Sequence, residues 1–468
     1  MARGRKSTRR PKQPHSAKRA ARRRRRAQRR AGELRRRLKA FLPDKLIREV
    51  AIEAGWVERV RKILPHAFVW ALVLGFAGHT ERTIATLRRE FERATGVTLA
   101  PSAFYDRFNE SLVRCLCKLV ATLVEKVMDS ASRPLAGALR HFKDVVVTDS
   151  SVIRLHDFLA QHFPGSRTNH SKAAMKLHVV MSVLGAGPRS FKLTSGRTND
   201  GRAFSVGPWV EGKLLLFDLG YYCYRLFDNI RRNKGFFVSR LKANANPMIV
   251  ANHRPCRGRS VDLVGKRLQE ALPLLQREIL DVEVEVAFKR RAYRARPSKA
   301  KARFRVVGAR NEETGEYHLY ITNLPVETFD AETVARIYRA RWSIELLFKS
   351  LKSDFALEDM PSQKPAVVQA LLYASIITWL VGQELLGLIR ERLKSDARRV
   401  TSLRWSRLMH ECAADLLRLL VGPPGQRQLA ALVERLLIHE APDPHQRRHS
   451  LLEEVETGEA TWPASLAS

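Results

Sequence analysis

The spacing of apolar residues predicts helices in the first third of the chain. From residue 41 to about residue 140, apolar residues recur at intervals of three and four. One amphipathic helix is predicted over residues 83–95, ended by Gly96, and a second from Pro101 through Phe108. With several arginines nearby, this pair is compatible with a helix-turn-helix that reads DNA or with an ordinary pair of packed helices.

The pattern changes to strands at Asp144. Residues 145–151 form a continuous, mostly β-branched run, typical of a strand buried on both faces, and we expect this strand to end at Asp149. Another predicted strand ends at Asp218. The further predicted strands cover residues 177–184, 191–194, 236–241, 280–288, 304–307 and 317–322.

Residues 338–352 are predicted to form one helix that carries polar chemistry. At about 100° per residue, Tyr338, Arg341, Glu345 and Lys352 fall on one narrow face. A carboxylate beside an arginine, a lysine and a phenol suits a site that holds a metal next to a phosphate. The alternative is a surface helix in which Arg341 and Glu345 form an ordinary i,i+4 ion pair.

The charge of the chain favours a polyanionic partner. The net charge is +37 and the pI about 10.8. Residues 1–40 hold 19 Lys/Arg and one acid, hence +18, which leaves +19 on the other 428 residues. Such a low-complexity segment is predicted to be a disordered arm that binds phosphates without sequence preference, or else a solubilising tail.

The cysteines favour a reduced compartment, and the apolar stretches are too short for membrane spans. Five cysteines without paired C-x2-C arms fit a cytosolic protein, and no signal peptide is evident. Two apolar stretches, residues 67–77 and 366–381, are shorter than the ~20 residues of a membrane span. We interpret both as buried helices.

The pattern Y-x2-R-x3-E-x6-K, formed by Tyr338, Arg341, Glu345 and Lys352, adds a family resemblance. It is similar to the signature of DDE transposases of bacterial insertion sequences, in the group known by that Tyr-Arg-Glu-Lys motif. The segments ITNLP at residues 321–325 and RWSIE around Trp342 resemble the same family, and the resemblance covers roughly residues 41–382.

The resemblance implies an α/β fold with a ribonuclease-H-like catalytic core and a β-rich insertion, preceded and followed by helical regions. The predicted organisation is a disordered basic arm (1–40), a helical DNA-binding domain (41–140), the catalytic core (141–245 and 325–382), the β-rich insertion (246–324), and a helical C-terminal region that serves dimerisation (383–468).

Three carboxylates are assigned to catalysis and to metal binding: Asp149, Asp218 and Glu345. The two aspartates are predicted at the carboxyl ends of strands and the glutamate on a helix. Carboxylates are the ligands that Mg²⁺ prefers, and two Mg²⁺ ions about 3.5–4 Å apart, with Mn²⁺ able to substitute, would activate a nucleophile and stabilise the leaving oxygen. Among the rival carboxylates, Asp144 opens its strand instead of ending it, Asp157 and Asp228 are interpreted as surface residues, and Asp200 is interpreted as a cap of the helix at Arg202.

Six residues are predicted to contact DNA. The resemblance implies that Tyr338, Arg341 and Lys352 bind phosphates of the transposon end, while ion pairs that support Glu345 are the alternative. Lys172, Lys176 and Arg197 near the first hairpin are predicted to add contacts. The spacing of His156, His170 and His178 does not match a zinc site.

The function that follows is transposition of an insertion sequence in the bacterial cytoplasm, at the nucleoid. The partners expected are double-stranded DNA, as transposon ends and target, and a second copy of the chain. Two alternatives stay open: a domesticated, non-catalytic DNA-binding protein, and a ribonuclease-H-like nuclease that recognises DNA structure.

Overall fold

The computed structural model describes most of the chain between residues 32 and 444. The described ranges are 32–58, 63–76, 83–130, 135–166, 171–182, 187–254, 262–290, 298–311, 314–349, 351–352, 360–393, 400–423 and 426–444. The chain divides into two compact units. The described residues of the first lie within 32–107 and 381–444, and those of the second within 108–380.

In the described part of the second unit, nine strands form one sheet in the order β3-β2-β1-β4-β5-β9-β8-β7-β6. The strands are β1 (Val145–Leu155), β2 (Ala173–Ser182), β3 (Gly187–Ser195), β4 (Leu214–Phe217), β5 (Phe236–Arg240), β6 (Met248–Asn252), β7 (Ile279–Lys289), β8 (Lys299–Arg310) and β9 (Tyr317–Thr322).

Strand direction separates this sheet into parts. β1, β2 and β3 pair antiparallel, whereas β1, β4 and β5 run parallel to one another. All four residues of β4 are buried, as expected for a parallel strand covered on both faces. The helix α8 (Tyr224–Arg232) connects β4 to β5 and packs Phe227 flat against Phe237 of β5, with ring centroids 4.4 Å apart.

Eight of the nine strands coincide with strand-like patterns in the sequence, and two details were wrong. β1 does not end at Asp149 but continues to Leu155, because β2 goes on pairing with it as far as Ala173. β6 was not predicted, since its five residues lie in a segment without clear alternation.

The strands of residues 246–324 extend the sheet of the predicted catalytic core. β9 pairs antiparallel with β5, so that β6 to β9 continue this sheet, and their apolar residues share one core with α8. The domain boundaries assigned to this segment remain a prediction.

The helices before the sheet are mostly short. They are α1 (residues 32–41), α2 (Asp44–Glu53), α3 (Pro65–Trp70, continued as a π-helical segment Ala71–Gly75), α4 (Ile84–Thr95), α5 (Pro101–Tyr105) and α6 (Glu110–Ser130). Residues 1–31 of the predicted arm lie outside the described residues. For residues 32–40 the prediction of disorder was wrong, because Leu34 and Leu38 are buried apolar residues of α1.

The ends of α4 agree with the sequence, but α5 is shorter than predicted. The side chain of Thr83 accepts a hydrogen bond from the Thr86 amide, and Gly96 ends α4 with a positive φ of 72°. α5 stops at Tyr105 instead of Phe108, because Asn109 already accepts from the Leu112 amide at the start of α6. Whether this pair reads DNA stays a prediction.

The helices after residue 330 are α10 (Ala331–Arg339), α11 (Trp342–Lys349), α12 (Pro365–Leu393), α13 (Ser402–Val421) and α14 (Arg427–Glu440); two four-residue helices, α7 (Asp200–Ala203) and α9 (Leu268–Ala271), lie earlier in the chain. The sequence analysis separated residues 41–140 from residues 383–468, whereas contacts group most of both stretches in one unit. The DNA-binding and dimerisation roles of these segments remain predictions.

The helix α12 is longer than the apolar stretch that predicted it. With 29 residues it is long and apolar enough to cross a membrane, by length and composition alone. However, 78% of its most apolar window is buried within the protein, which is also typical of a core helix.

Residues 338–352 do not form one helix, and that prediction was wrong. α10 ends at Arg339 and α11 begins at Trp342. The amides of Ala340 and Arg341 bond three residues back, to the carbonyls of Ile337 and Tyr338, which tightens the last turn and redirects the chain. Tyr338 and Glu345 therefore stand on different helices.

Candidate active site

Asp149 and Asp218 lie side by side where the parallel pairing of β1 with β4 ends. β1 and β4 pair in parallel through four rungs, the last of which joins Thr148 to Phe217. Asp149 and Asp218 are each the next residue after that rung. The sequence predicted both aspartates at the carboxyl edge of the sheet, and equal register brings them to the same level of it.

The carboxylate of Asp149 lies in a crowded anionic environment. Burial is the largest influence that raises its pKa, to about 6, and the charges of Asp218 and Glu345 add to it. The Ser150 amide, which donates to Asp149 Oδ1 over 2.7 Å, and the charge of Arg341 act in the opposite direction. The charges of Asp218 and Glu345 thus both act on Asp149, so the other two predicted carboxylates lie in its neighbourhood.

Arg341 links these acids. Its guanidinium donates to Glu345 Oε1, and its Nη1 lies 3.9 Å from Asp149 Oδ2. Only 14% of its side chain is exposed, and the charge of Asp218 also acts on it. A single buried cation thus stands among three carboxylates.

Tyr338 contacts the backbone beside Asp218. Its hydroxyl donates to the carbonyl oxygen of Phe217 over 3.1 Å, and the Arg341 guanidinium lies 5.6 Å from its ring centroid. The residue is 6% exposed, and burial raises the pKa of its phenol. The predicted phosphate contact of Tyr338 therefore competes with a bond inside the protein.

Lys352 also reaches β1. Its ammonium donates to the carbonyl oxygen of Val152, three residues after Asp149, over 3.1 Å. The motif residues that the sequence placed on one face are instead gathered from α10, the turn after it, α11 and residues 351–352.

The three cations predicted near the first hairpin differ in their surroundings. Lys172 is exposed and lies 3.5 Å from a carboxylate oxygen of Asp157. The side chain of Arg197 is exposed and donates through Nε to the Gly165 carbonyl over 3.2 Å. Lys176 is largely buried, with its ammonium 3.1 Å from both the Thr198 carbonyl and Asp200 Oδ1.

Asp200 was missed as a neighbour of this site. It does not cap α7, because Asn199 does so by accepting from the Gly201 amide. Instead, Asp200 Oδ1 accepts from Ser150 Oγ, next to Asp149, over 2.7 Å as well as from Lys176. No local signal in the sequence joins residues 150, 176 and 200, which meet through the pairing of β1 with β2 and of β2 with β3, the strand that precedes Asp200.

Two other rival carboxylates have partners inside the protein, and for Asp228 the expectation of a surface residue was wrong, because only 3% of it is exposed. Asp144 is buried and accepts from Ser182 Oγ over 2.8 Å, and it also pairs with Arg189 at 3.0 Å. Asp228 pairs with Arg231 at 2.9 Å and with Arg290 at 3.4 Å.

The donor chemistry at this edge fits a hard divalent cation. Three carboxylates supply oxygen ligands, and burial together with the charges of Asp218 and Glu345 raises the pKa of Asp149, which a bound cation would offset. Nevertheless, within the described ranges no three His, Cys, Asp or Glu side chains are grouped as a metal site. Glu345 is engaged by Arg341, so these carboxylates are shared between an arginine and any cation that binds.

Comparison with known protein families identifies the family to which this chain, with its candidate site, belongs. The family model of the transposase DDE domain matches residues 140–381, just over half of the chain, including Asp149, Asp218 and Glu345. The chain belongs to this DDE transposase family. Members of this family are DNA-cleaving and strand-transferring enzymes that depend on divalent metals.

Transposases of bacterial insertion sequences resemble this one over most of their length. The transposase of IS231F from Bacillus thuringiensis subsp. israelensis is 22% identical over 373 residues, covering 73% of this chain and 77% of the relative. That of IS231B from B. thuringiensis subsp. berliner is 22% identical, with coverages of 77% and 81%. That of IS1151 from Clostridium perfringens is 20% identical, with coverages of 72% and 76%.

One solved structure resembles this transposase distantly. A piggyBac transposase in a synaptic complex with hairpin DNA superposes with a TM-score of 0.41 at 11% identity, covering 88% of this chain and 86% of the other.

Replacing Tyr338 by Phe tests what its hydroxyl does. We expect the cleavage rate at saturating DNA to fall about fivefold, because the lost hydrogen bond to the Phe217 carbonyl contributes about 1 kcal/mol to holding Asp218 in place. DNA affinity should not change. Tyr320→Phe is the matched control, since that ring lies 5.1 Å from the ring of Tyr338. A loss of DNA affinity in Tyr338→Phe alone would show instead that the hydroxyl binds a phosphate.

Proposed function

We propose that this protein binds the terminal inverted repeats of an insertion sequence, nicks the DNA with activated water and joins the freed 3′-hydroxyl to target DNA. The observation that carries the proposal is the register of β1 and β4, which sets Asp149 and Asp218 side by side, with Glu345 joined to them through Arg341. Acids from three separate elements meet at one sheet edge.

The sheet topology supports a ribonuclease-H-like core. Its first five strands have the order β3-β2-β1-β4-β5, in which an antiparallel trio is followed by two strands parallel to β1. This is the strand arrangement expected of a ribonuclease-H-like core, with Asp149 on the first strand and Asp218 after the fourth.

In this proposal Asp149, Asp218 and Glu345 hold Mg²⁺, most simply as two ions. A divalent cation bound there supplies charge that activates water and stabilises the leaving oxygen. Arg341 holds Asp149 and Glu345 in place before DNA binds and neutralises part of their repulsion. With a divalent cation held by Glu345, the guanidinium of Arg341 would be available for a DNA phosphate.

Charge supports DNA as the partner. The net charge of +37 is distributed between the first forty residues and the rest of the chain, so that both regions are available to neutralise phosphates. The proposal includes a homodimer that brings two ends together, with residues 383–468 as its interface, in the bacterial cytoplasm at the nucleoid.

A specific observation favours a second candidate, a non-catalytic DNA-binding protein. Glu345 is paired with Arg341, and the described carboxylates are not grouped as a metal site. If this arrangement persists when DNA and Mg²⁺ are present, the protein binds DNA without cutting it.

Neutralising single carboxylates separates these candidates. On linear DNA that carries the element's own ends, Mg²⁺-dependent nicking by the wild type should disappear in Asp149→Asn and in Glu345→Gln, because each loses a charged metal ligand. Binding to the ends should persist in both. The matched control is Glu332→Gln, an exposed acid of α10 that should leave nicking intact.

Binding without nicking by the wild type, with both ends present in Mg²⁺ or Mn²⁺, would support the non-catalytic candidate. Loss of both binding and nicking in a folded Glu345→Gln protein would show that Glu345 has a structural role.

The basic arm is tested by removing residues 1–31, which hold 15 Lys/Arg and no acid. Truncation should stop there because α1 begins at residue 32. DNA affinity should fall, and the dependence of log K on log salt should flatten by about 0.9 for every phosphate that the arm no longer neutralises. The control is a chain of full length with these 15 cations replaced by Gln, which should behave like the truncation. An unchanged salt slope in both would show that the arm does not touch DNA.

A further inference from the structure

A regular ladder of ion pairs runs across one face of the β7–β8 hairpin. Arg305 pairs with Asp281 at 2.6 Å, Arg303 with Glu283 at 4.0 Å, and Lys301 with Glu285 at 2.7 Å. Each cation of β8 thus pairs with the acid that lies diagonally across on β7. The acids and the cations both recur every second residue, as expected for side chains on one face of an antiparallel pair.

The ladder stops at its fourth rung. The next cation is Lys299, and the position diagonal to it, where the series requires an acid, holds Ala287. Directly opposite Lys299 stands a second cation, Lys289. Both lysines are exposed, and neither forms an ion pair with a described residue. Among the described residues, these two positive charges at the end of the hairpin therefore have no acidic partner.

Like charges directly opposite each other destabilise a strand pair. An acid at residue 287 would relieve this repulsion with the same geometry that the three previous rungs use. The lysine pair therefore costs folding stability, which points to a role other than folding.

The position of this lysine pair separates it from the catalytic edge. The opposite face of the hairpin is apolar and joins the core through Phe304, whereas the face with the ladder contacts the start of α10, because Arg305 donates to the Phe329 carbonyl over 2.7 Å. Val306 lies level with Thr148 in the sheet. Lys299 is seven residues before it, hence roughly 23 Å away along the strand, and β8 lies four strand spacings, roughly 19 Å, from β1. Lys299 is therefore about 30 Å from Thr148.

We propose that Lys289 and Lys299 form a contact site for the phosphate backbone of duplex DNA, away from the scissile phosphate. The proposal rests on the proposed function, since it needs DNA to lie on the protein. A duplex covers about 30 Å in about nine base pairs, so one bound DNA is long enough to reach from the catalytic edge to this site. A phosphate between the two ammonium groups supplies the negative charge that Ala287 does not.

The test is a salt titration of binding to a fluorescent 30-base-pair duplex of arbitrary sequence, from 50 to 200 mM KCl, with the full chain. Lys289→Gln combined with Lys299→Gln removes two phosphate contacts, so the log–log slope should flatten by about 1.8, a change of about twelvefold across the fourfold salt range. Ala287→Glu should also flatten it, because the new acid occupies Lys299.

A matched control on the same face is Lys301→Gln combined with Glu285→Gln. It removes one cation and one anion that already neutralise each other, so the salt slope should stay at the wild-type value. Thermal unfolding gives an independent reading: Ala287→Glu and the Lys289/Lys299 double variant should melt at the wild-type temperature or above it.

Flattened slopes with undiminished melting temperatures would support the assignment. Wild-type slopes in both variants would overturn it, as would a lowered melting temperature in both, which would give the lysines a structural role. A wild-type protein that binds no duplex would contradict the proposed function itself. A wild-type protein that binds duplex with a salt slope that the variants leave unchanged would contradict only the assignment of the lysine pair.

Discussion

The parallel pairing of β1 with β4 is the constraint on which the candidate site depends. It ends at the rung that joins Thr148 to Phe217, so the next residue of each strand is an aspartate at the same level. Every other part of the site is positioned relative to this edge. Tyr338 bonds to the Phe217 carbonyl and Lys352 to the Val152 carbonyl, so that the segments before and after Glu345 are both attached to it.

The negative charges of Asp149, Asp218 and Glu345 are only partly neutralised by Arg341. Three carboxylates in a largely buried place repel one another, which together with burial raises the pKa of Asp149 to about 6. Arg341 supplies one compensating charge through its contacts with Asp149 and Glu345. The remaining negative charge would attract a cation, and with that cation bound the arginine would be available to a phosphate.

Much of this fold was predictable from the sequence, because strands buried on both faces read as continuous apolar runs and α4 carries its own cap and glycine stop. The three carboxylates were found because a motif and two strand ends pointed to them. The break between α10 and α11 was not predictable, since residues 338–352 keep a helical pattern across it. Likewise, Asp200 meets Ser150 and Lys176 only through tertiary pairing, which leaves no local signal.

The most direct test of the central claim replaces Mg²⁺ with Fe²⁺ and lets hydroxyl radicals, generated at the bound iron with ascorbate and peroxide, cut the polypeptide nearby. If one metal site lies among Asp149, Asp218 and Glu345, the chain should be cut close to these three positions. Excess Mg²⁺ should suppress the cuts, and Asp149→Asn should lose them. Cuts elsewhere, or cuts that persist in Asp149→Asn, would contradict the claim that these strands assemble the metal site.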